Sequence, residues 1–130
     1  MKLLVADDSE LIRSRLLGML DGVTGIASID TADTLAQTLF YVENATPTLL
    51  ILDLHLADGH AIPLLPTLKA LAPEMEVVVL TNDDSPFNRA RSLQAGADWF
   101  FDKPTEFDKV LTLVQLQVVA QAAKAELALH

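Results

Sequence analysis

Apolar and polar residues alternate in blocks along this chain, and the blocks read as strands followed by helices. Residues 2–6 (KLLVA) are an apolar run that stops at Asp7-Asp8. Ser9 offers an N-cap, and Glu10 falls in the first turn, where the helix dipole favours a carboxylate. Leu11, Ile12, Leu16, Met19 and Leu20 then form the apolar stripe of a first helix, broken by Asp21-Gly22. The β-branched residues of 23–29 predict a second strand, and Leu35, Leu39 and Val42 predict a helix over 31–43, ended by Asn44 and Pro47. A buried run at 48–52 (TLLIL) stops at Asp53, Asp58-Gly59 marks a turn, and residues 62–71 have helical spacing with Pro63 in the first turn. A fourth strand is expected at 75–80, stopped by Thr81. A helix follows over 85–95, with Asp83-Asp84 as its cap, Pro86 in its first turn and Gly96 as its C-cap. Residues 99–101 make a short fifth strand before Asp102-Lys103-Pro104, and a long helix runs from Thr105.

Strands that alternate with helices must be parallel, because parallel neighbours need crossovers, and uninterrupted apolar strands suit a sheet covered on both faces. The expected fold is therefore α/β, a three-layer sandwich around a five-stranded parallel sheet. Right-handed crossovers favour the flavodoxin-like order 2-1-3-4-5. No repeat or linker interrupts the pattern, so residues 1–130 read as one domain.

Composition narrows the chemistry. With 130 residues, 51% of them apolar, the chain can close a full core without covalent staples. It has no cysteine, which excludes disulfides, thiolate metal sites and thiol catalysis. Nine basic against eighteen acidic residues give a net charge of −9, unsuited to phosphate backbones and suited to a hard cation. Apolar runs are far shorter than a bilayer span, so a cytoplasmic setting without membrane contact is expected.

In open α/β sheets ligands bind beyond the carboxyl ends of the strands. Four of those ends carry Asp7-Asp8, Asp53, Thr81 and Lys103. Three converging carboxylates repel, by about 4 kcal/mol per pair at ~4 Å and an effective dielectric of ~20. A divalent oxygen-seeking cation such as Mg²⁺ relieves that repulsion. A cation, an ammonium and a hydroxyl around one group suit phosphoryl transfer, with one aspartate as nucleophile.

The segments LVADDS (4–9), LLILDLHLADG (49–59), VVVLTN (77–82) and AGADWFFDKP (95–104), with the closing helix, resemble the receiver domain of two-component response regulators over nearly the whole chain. The resemblance implies that Asp53 is the phosphoacceptor. It makes Asp8 and Asp53 direct Mg²⁺ ligands, with Asp7 acting through water and the His55 backbone carbonyl completing the set. It gives Lys103 and Thr81 phosphoryl oxygens to bind, makes Phe100 the switch aromatic, and places a cis peptide before Pro104. On phosphorylation Thr81 would move and Phe100 rotate inward, reshaping the face of the fourth helix, fifth strand and fifth helix. Tyrosine's hydroxyl is missing at position 100. Ala57, Ala61 and Asn82 depart from the family's usual proline, glycine and small residue. The implied donor is a histidine kinase or a histidine phosphotransfer protein, with no nucleic acid contact. The implied catalysis is restricted to self-phosphorylation and autodephosphorylation, so the chain is not expected to be an enzyme in the turnover sense.

Two other function classes fit parts of the pattern. A Mg²⁺-dependent aspartyl-phosphate phosphatase would need an acid/base aspartate two residues after its nucleophile, where this chain has His55, and a cap segment. A phosphorylation-independent interaction module would not need the acidic pair, threonine and lysine. His55 and His60, five apart, with His130 terminal, are not expected to form a metal site. Trp99 reads either as a core ring or as a partner contact, and Arg89 and Arg91 as a solvated face. In the last helix Phe107, Val110, Leu111, Val114 and Val118 form the stripe expected to face the sheet. Leu113, Leu116 and Ala120 lie off it, which leaves apolar surface for a second copy or a following domain. Residues 121–130 read as a frayed tail or as the start of a connecting helix.

Overall fold

The computed structural model describes residues 1–129. Five strands, β1 (Lys2–Ala6), β2 (Ser28–Ala32), β3 (Leu49–Leu52), β4 (Glu76–Thr81) and β5 (Trp99–Asp102), pair in parallel in the order 2-1-3-4-5. The helices are α1 (Glu10–Leu20), α2 (Leu35–Ala45), α3 (Leu65–Leu71), α4 (Pro86–Ala95) and α5 (Lys103–Ala128). The two-residue alternation of side chains along the strands divides the core. Leu3, Val5, Leu49, Ile51, Val78 and Leu80 point to α1 and α5, with Phe107, Val110 and Val114. Leu4, Ala6, Leu50, Leu52, Val77 and Val79 point to the other face, with Val42, Leu65 and Leu68. Both faces of the central strands are dry, which is why they read as unbroken apolar runs.

Several element boundaries differ from the sequence expectation for local reasons. The second strand is Ser28–Ala32, not 23–29, because Val23 and Ile26 are spent on packing under the second core cluster while Lys2 to Ala6 pair with Ser28 to Ala32. The second helix starts at Leu35, where the Thr34 hydroxyl accepts from Gln37 N–H and the Asp58 carboxylate accepts from the N–H groups of Leu35 and Ala36. Residues 62–71 split into a 3₁₀ turn (Ile62–Leu64) and α3, since Pro66 cannot donate within a continuous first turn. Ser85, not Asp83-Asp84, caps α4 by accepting from Asn88 N–H. Gly96 closes that helix as expected, at φ +121°.

The Lys103–Pro104 peptide is trans, against the cis bond that the resemblance implied. Lys103 is already the first residue of α5, and Pro104 lies in its first turn, where a missing N–H costs nothing and a trans bond continues the helix. Leu113 is buried in α5, although the stripe leaves it aside, and Leu116 and Val119 are exposed. The helix continues to Ala128, while His130 lies outside the described residues. No helix is long and apolar enough to cross a membrane among the described residues.

Candidate functional site

β1, β3, β4 and α5 deliver Asp7, Asp53, Thr81 and Lys103 to one end of the sheet. Ala6 pairs with Leu52 and Leu52 with Val79, so the residues just past β1 and β3 and the last residue of β4 lie side by side. Thr81 pairs with Asp102, which sets Lys103 at the same rim. The Lys103 ammonium donates to Asp7 Oδ2 at 2.7 Å and to Asp53 Oδ2 at 3.0 Å. All three side chains are buried, as is Thr81.

Each carboxylate is also held by backbone. Asp7 Oδ1 accepts from Ser9 N–H at 2.9 Å, and the Arg13 guanidinium donates to the Asp7 carbonyl at 2.6 Å. Asp53 Oδ1 faces His55 N–H at 3.4 Å. Asp8 is exposed at the rim, yet one oxygen from each of Asp7, Asp8 and Asp53 lies within 4.8 Å of the others. Burial pushes the Asp7 carboxyl above the usual carboxylate range, against the opposing pull of Lys103 and Ser9 N–H. Burial also works against the Lys103 charge, but the hydrogen bonds and charges of Asp7 and Asp53 outweigh it and raise its pKa. One ammonium thus serves two acids, and the donor set is three oxygens with an excess of negative charge. That donor set fits a hard divalent cation.

A profile of the response regulator receiver domain matches residues 3–115. The chain belongs to the response regulator receiver family. Among curated relatives, the sensory transduction protein LytR of Staphylococcus haemolyticus is 30% identical over 110 residues, which cover 85% of this chain and 42% of LytR. The chain spans about half the length of the curated relatives it matches. A Burkholderia pseudomallei response regulator, solved with a phosphorylated aspartic acid, calcium ion and citrate, aligns at 25% identity and TM-score 0.78 over 98% of this chain and 74% of that one. A CheY-like receiver domain from Methanospirillum hungatei aligns at 26% identity and TM-score 0.82, covering 95% and 97%. The receiver fold read from the strand pattern is therefore the fold of this chain.

Around the acidic hollow the receiver's other expected residues take definite places. Thr81 Oγ1 accepts from Asp83 N–H at 3.2 Å. Phe100 is 4% exposed and packs into the core cluster of the α2–α3 face. Arg89 lies over its ring at 4.9 Å and reaches Glu106 at 3.8 Å, so Arg89 is not simply solvated. Arg91 stacks on Phe87 at 5.3 Å. Trp99 is half-buried against the α1–α5 cluster. Asn82 is exposed.

One grouping, His55 and His60 with Asp83, is closer than the sequence reading allowed. Ala57 to Asp58 turn the chain so that His55 pairs with His60 in a short antiparallel ladder, with Leu56 opposite Gly59. His55 Nε2 lies 2.8 Å from Asp83 Oδ2. The bond from His55 lowers the Asp83 pKa, and burial followed by the neighbouring His55 lowers that of His60. Only the Asp58-Gly59 turn signal bore on this pairing.

Proposed function

We propose that this receiver accepts a phosphoryl group on Asp53 from a phosphohistidine of a histidine kinase or histidine phosphotransfer protein. The observation that carries the reading is the buried Lys103 ammonium shared between Asp7 and Asp53, at the sheet end where Thr81 also sits. An Asp53 carboxylate oxygen attacks phosphorus, the phosphorus–nitrogen bond of the donor breaks, and the donor imidazole leaves and takes a proton. Lys103 neutralises charge on the transferred group, and the Thr81 hydroxyl donates to one of its oxygens. Asp7, Asp8, Asp53 and the His55 carbonyl would hold Mg²⁺, which supplies charge compensation for the phosphoryl oxygens. Water later hydrolyses the acyl phosphate, so catalysis is confined to the chain's own aspartate.

The added charge at Asp53 biases Thr81 and the surface formed by α4, β5 and α5 between two arrangements. Exposed Leu116 and Val119 support a homodimer that uses α5. The net charge of −9 supports a protein partner and no nucleic acid contact from this segment.

Labelling with acetyl phosphate tests the acceptor. Wild type takes up one phosphoryl group in Mg²⁺ and none in EDTA, and Asp53→Asn takes up none in either. Equal labelling of wild type and Asp53→Asn overturns the assignment.

A further inference from the structure

We propose that His55, His60 and Asp83 form a second cation site, chemically distinct from the acidic hollow, that takes a divalent transition ion of the zinc class. One ligand atom from each of these residues lies within 4.8 Å of the others. The two imidazoles face each other across the short ladder, with ring centroids 4.7 Å apart and planes at 83°. The carboxylate arrives from the loop after β4 and already meets His55 Nε2 at 2.8 Å.

The donor types decide which ion fits. Two imidazoles and one carboxylate suit Zn²⁺, whereas Mg²⁺ and Ca²⁺ favour all-oxygen sets such as Asp7, Asp8 and Asp53. Bonds of about 2.0–2.2 Å at tetrahedral angles put ligand atoms roughly 3.4 Å apart. The His55–Asp83 pair therefore opens slightly on ligation, and His60 closes toward it. A cleft of about 270 Å³ bordered by His60, Phe87, Asn88 and Arg91 leaves room beside His60 for a fourth, exchangeable ligand.

Ligation leaves a signature in the backbone. Ile62 N–H donates to His60 Nδ1 at 3.3 Å. If Nδ1 takes the ion, its lone pair is no longer available to Ile62. If Nε2 takes it, the ring proton moves to Nδ1 and the acceptor is lost just the same. Either way this long hydrogen bond is given up. The ion also ties the loop after β3 to the loop after β4, whose Asp83 N–H bonds Thr81. Binding of the ion does not depend on the proposed phosphoryl chemistry.

The test is a titration of the full chain with Zn²⁺ in excess Mg²⁺, read by calorimetry and by competition with a chromogenic chelator. The expected result is one Zn²⁺ per chain, weakened more than roughly tenfold in His60→Gln and in Asp83→Asn and unchanged in Asp8→Asn. The Ile62 amide resonance of the wild type shifts during the same titration, a readout independent of whether any variant folds well. Absent Zn²⁺ binding, an unmoved Ile62 amide, unchanged affinity in both site variants, or a loss confined to Asp8→Asn would each overturn the proposal.

Discussion

Replacing Lys103 by methionine keeps the side-chain volume and removes the one ammonium between two buried acids. Its nitrogen lies 2.7 Å from Asp7 and 3.0 Å from Asp53, so at an effective dielectric of about 20 each attraction is on the order of 6 kcal/mol. Relief of the desolvated ammonium offsets much of that sum. Breaking a buried pair by deleting one partner nets about 3–5 kcal/mol of destabilisation, because the abandoned charges stay buried. Taking ~4 kcal/mol and a urea slope of about 1.5 kcal/mol per M, the unfolding midpoint in EDTA falls by about 2.7 M. Saturating Mg²⁺ binds only the folded chain and recovers about 2.7 kcal/mol at one hundred times its dissociation constant. Urea titrations of wild type and Lys103→Met, each with EDTA and with Mg²⁺, measure both effects. A midpoint within 0.5 M of wild type in EDTA, at unchanged slope, would refute the view that Lys103 is the counter-charge of this hollow.

Asp7→Asn acts in the opposite direction. A carboxyl whose folded pKa is raised contributes stability that is fully present below its unfolded value of 3.8 and is lost as pH rises through the folded pKa. At pH 7 without metal the buried Asp7 carboxyl is therefore a liability, and Asp7→Asn stabilises the chain by about 1 kcal/mol. The gain shrinks as thermal melts are repeated toward pH 4, and no gain at pH 7 counts against the burial argument. Gly96→Ala costs about 1–3 kcal/mol, read by urea unfolding. Its φ is +121° and the new Cβ would sit 2.9 Å from Lys69 Cγ, on a side chain anchored to Met75 O at 2.7 Å and Asp98 at 3.2 Å. Ending the chain after Gln121 changes the unfolding free energy by less than about 1 kcal/mol, since every described side chain beyond it is exposed.

Where the sequence spoke clearly, a single physical cause acted. β1, β3 and β4 are covered on both faces, so their apolar runs and terminal polar residues marked both the strands and the rim. The edge strand β2 lacks that double cover, and its SIDTA carries Ser28, Asp30 and Thr31, so the apolar signal of Val23 and Ile26 drew the eye to a loop. The start of α2 depends on Asp58, some two dozen residues away, and no local pattern announces such a cap. Asp83 looked like a cap by position, but Ser85 was nearer the helix and His55 offered a partner across the rim. The His55–His60 pairing follows from a turn geometry that brings residues five apart face to face. Asp7, Asp53, Thr81 and Lys103 were legible because strand ends and a helix start place them with little freedom.

Phe100 sits under the Arg89 guanidinium with its ring in the core. Turning it out to solvent would forfeit about 1.5–3 kcal/mol of burial and about 0.5–1 kcal/mol of cation–π attraction. The outward ring is then a minor species, on the order of 0.1–3% of molecules. A spectroscopic label that reports an outward ring at this position would register almost nothing in the unphosphorylated chain, and reporters for that state belong on the segment between Asn82 and Ser85.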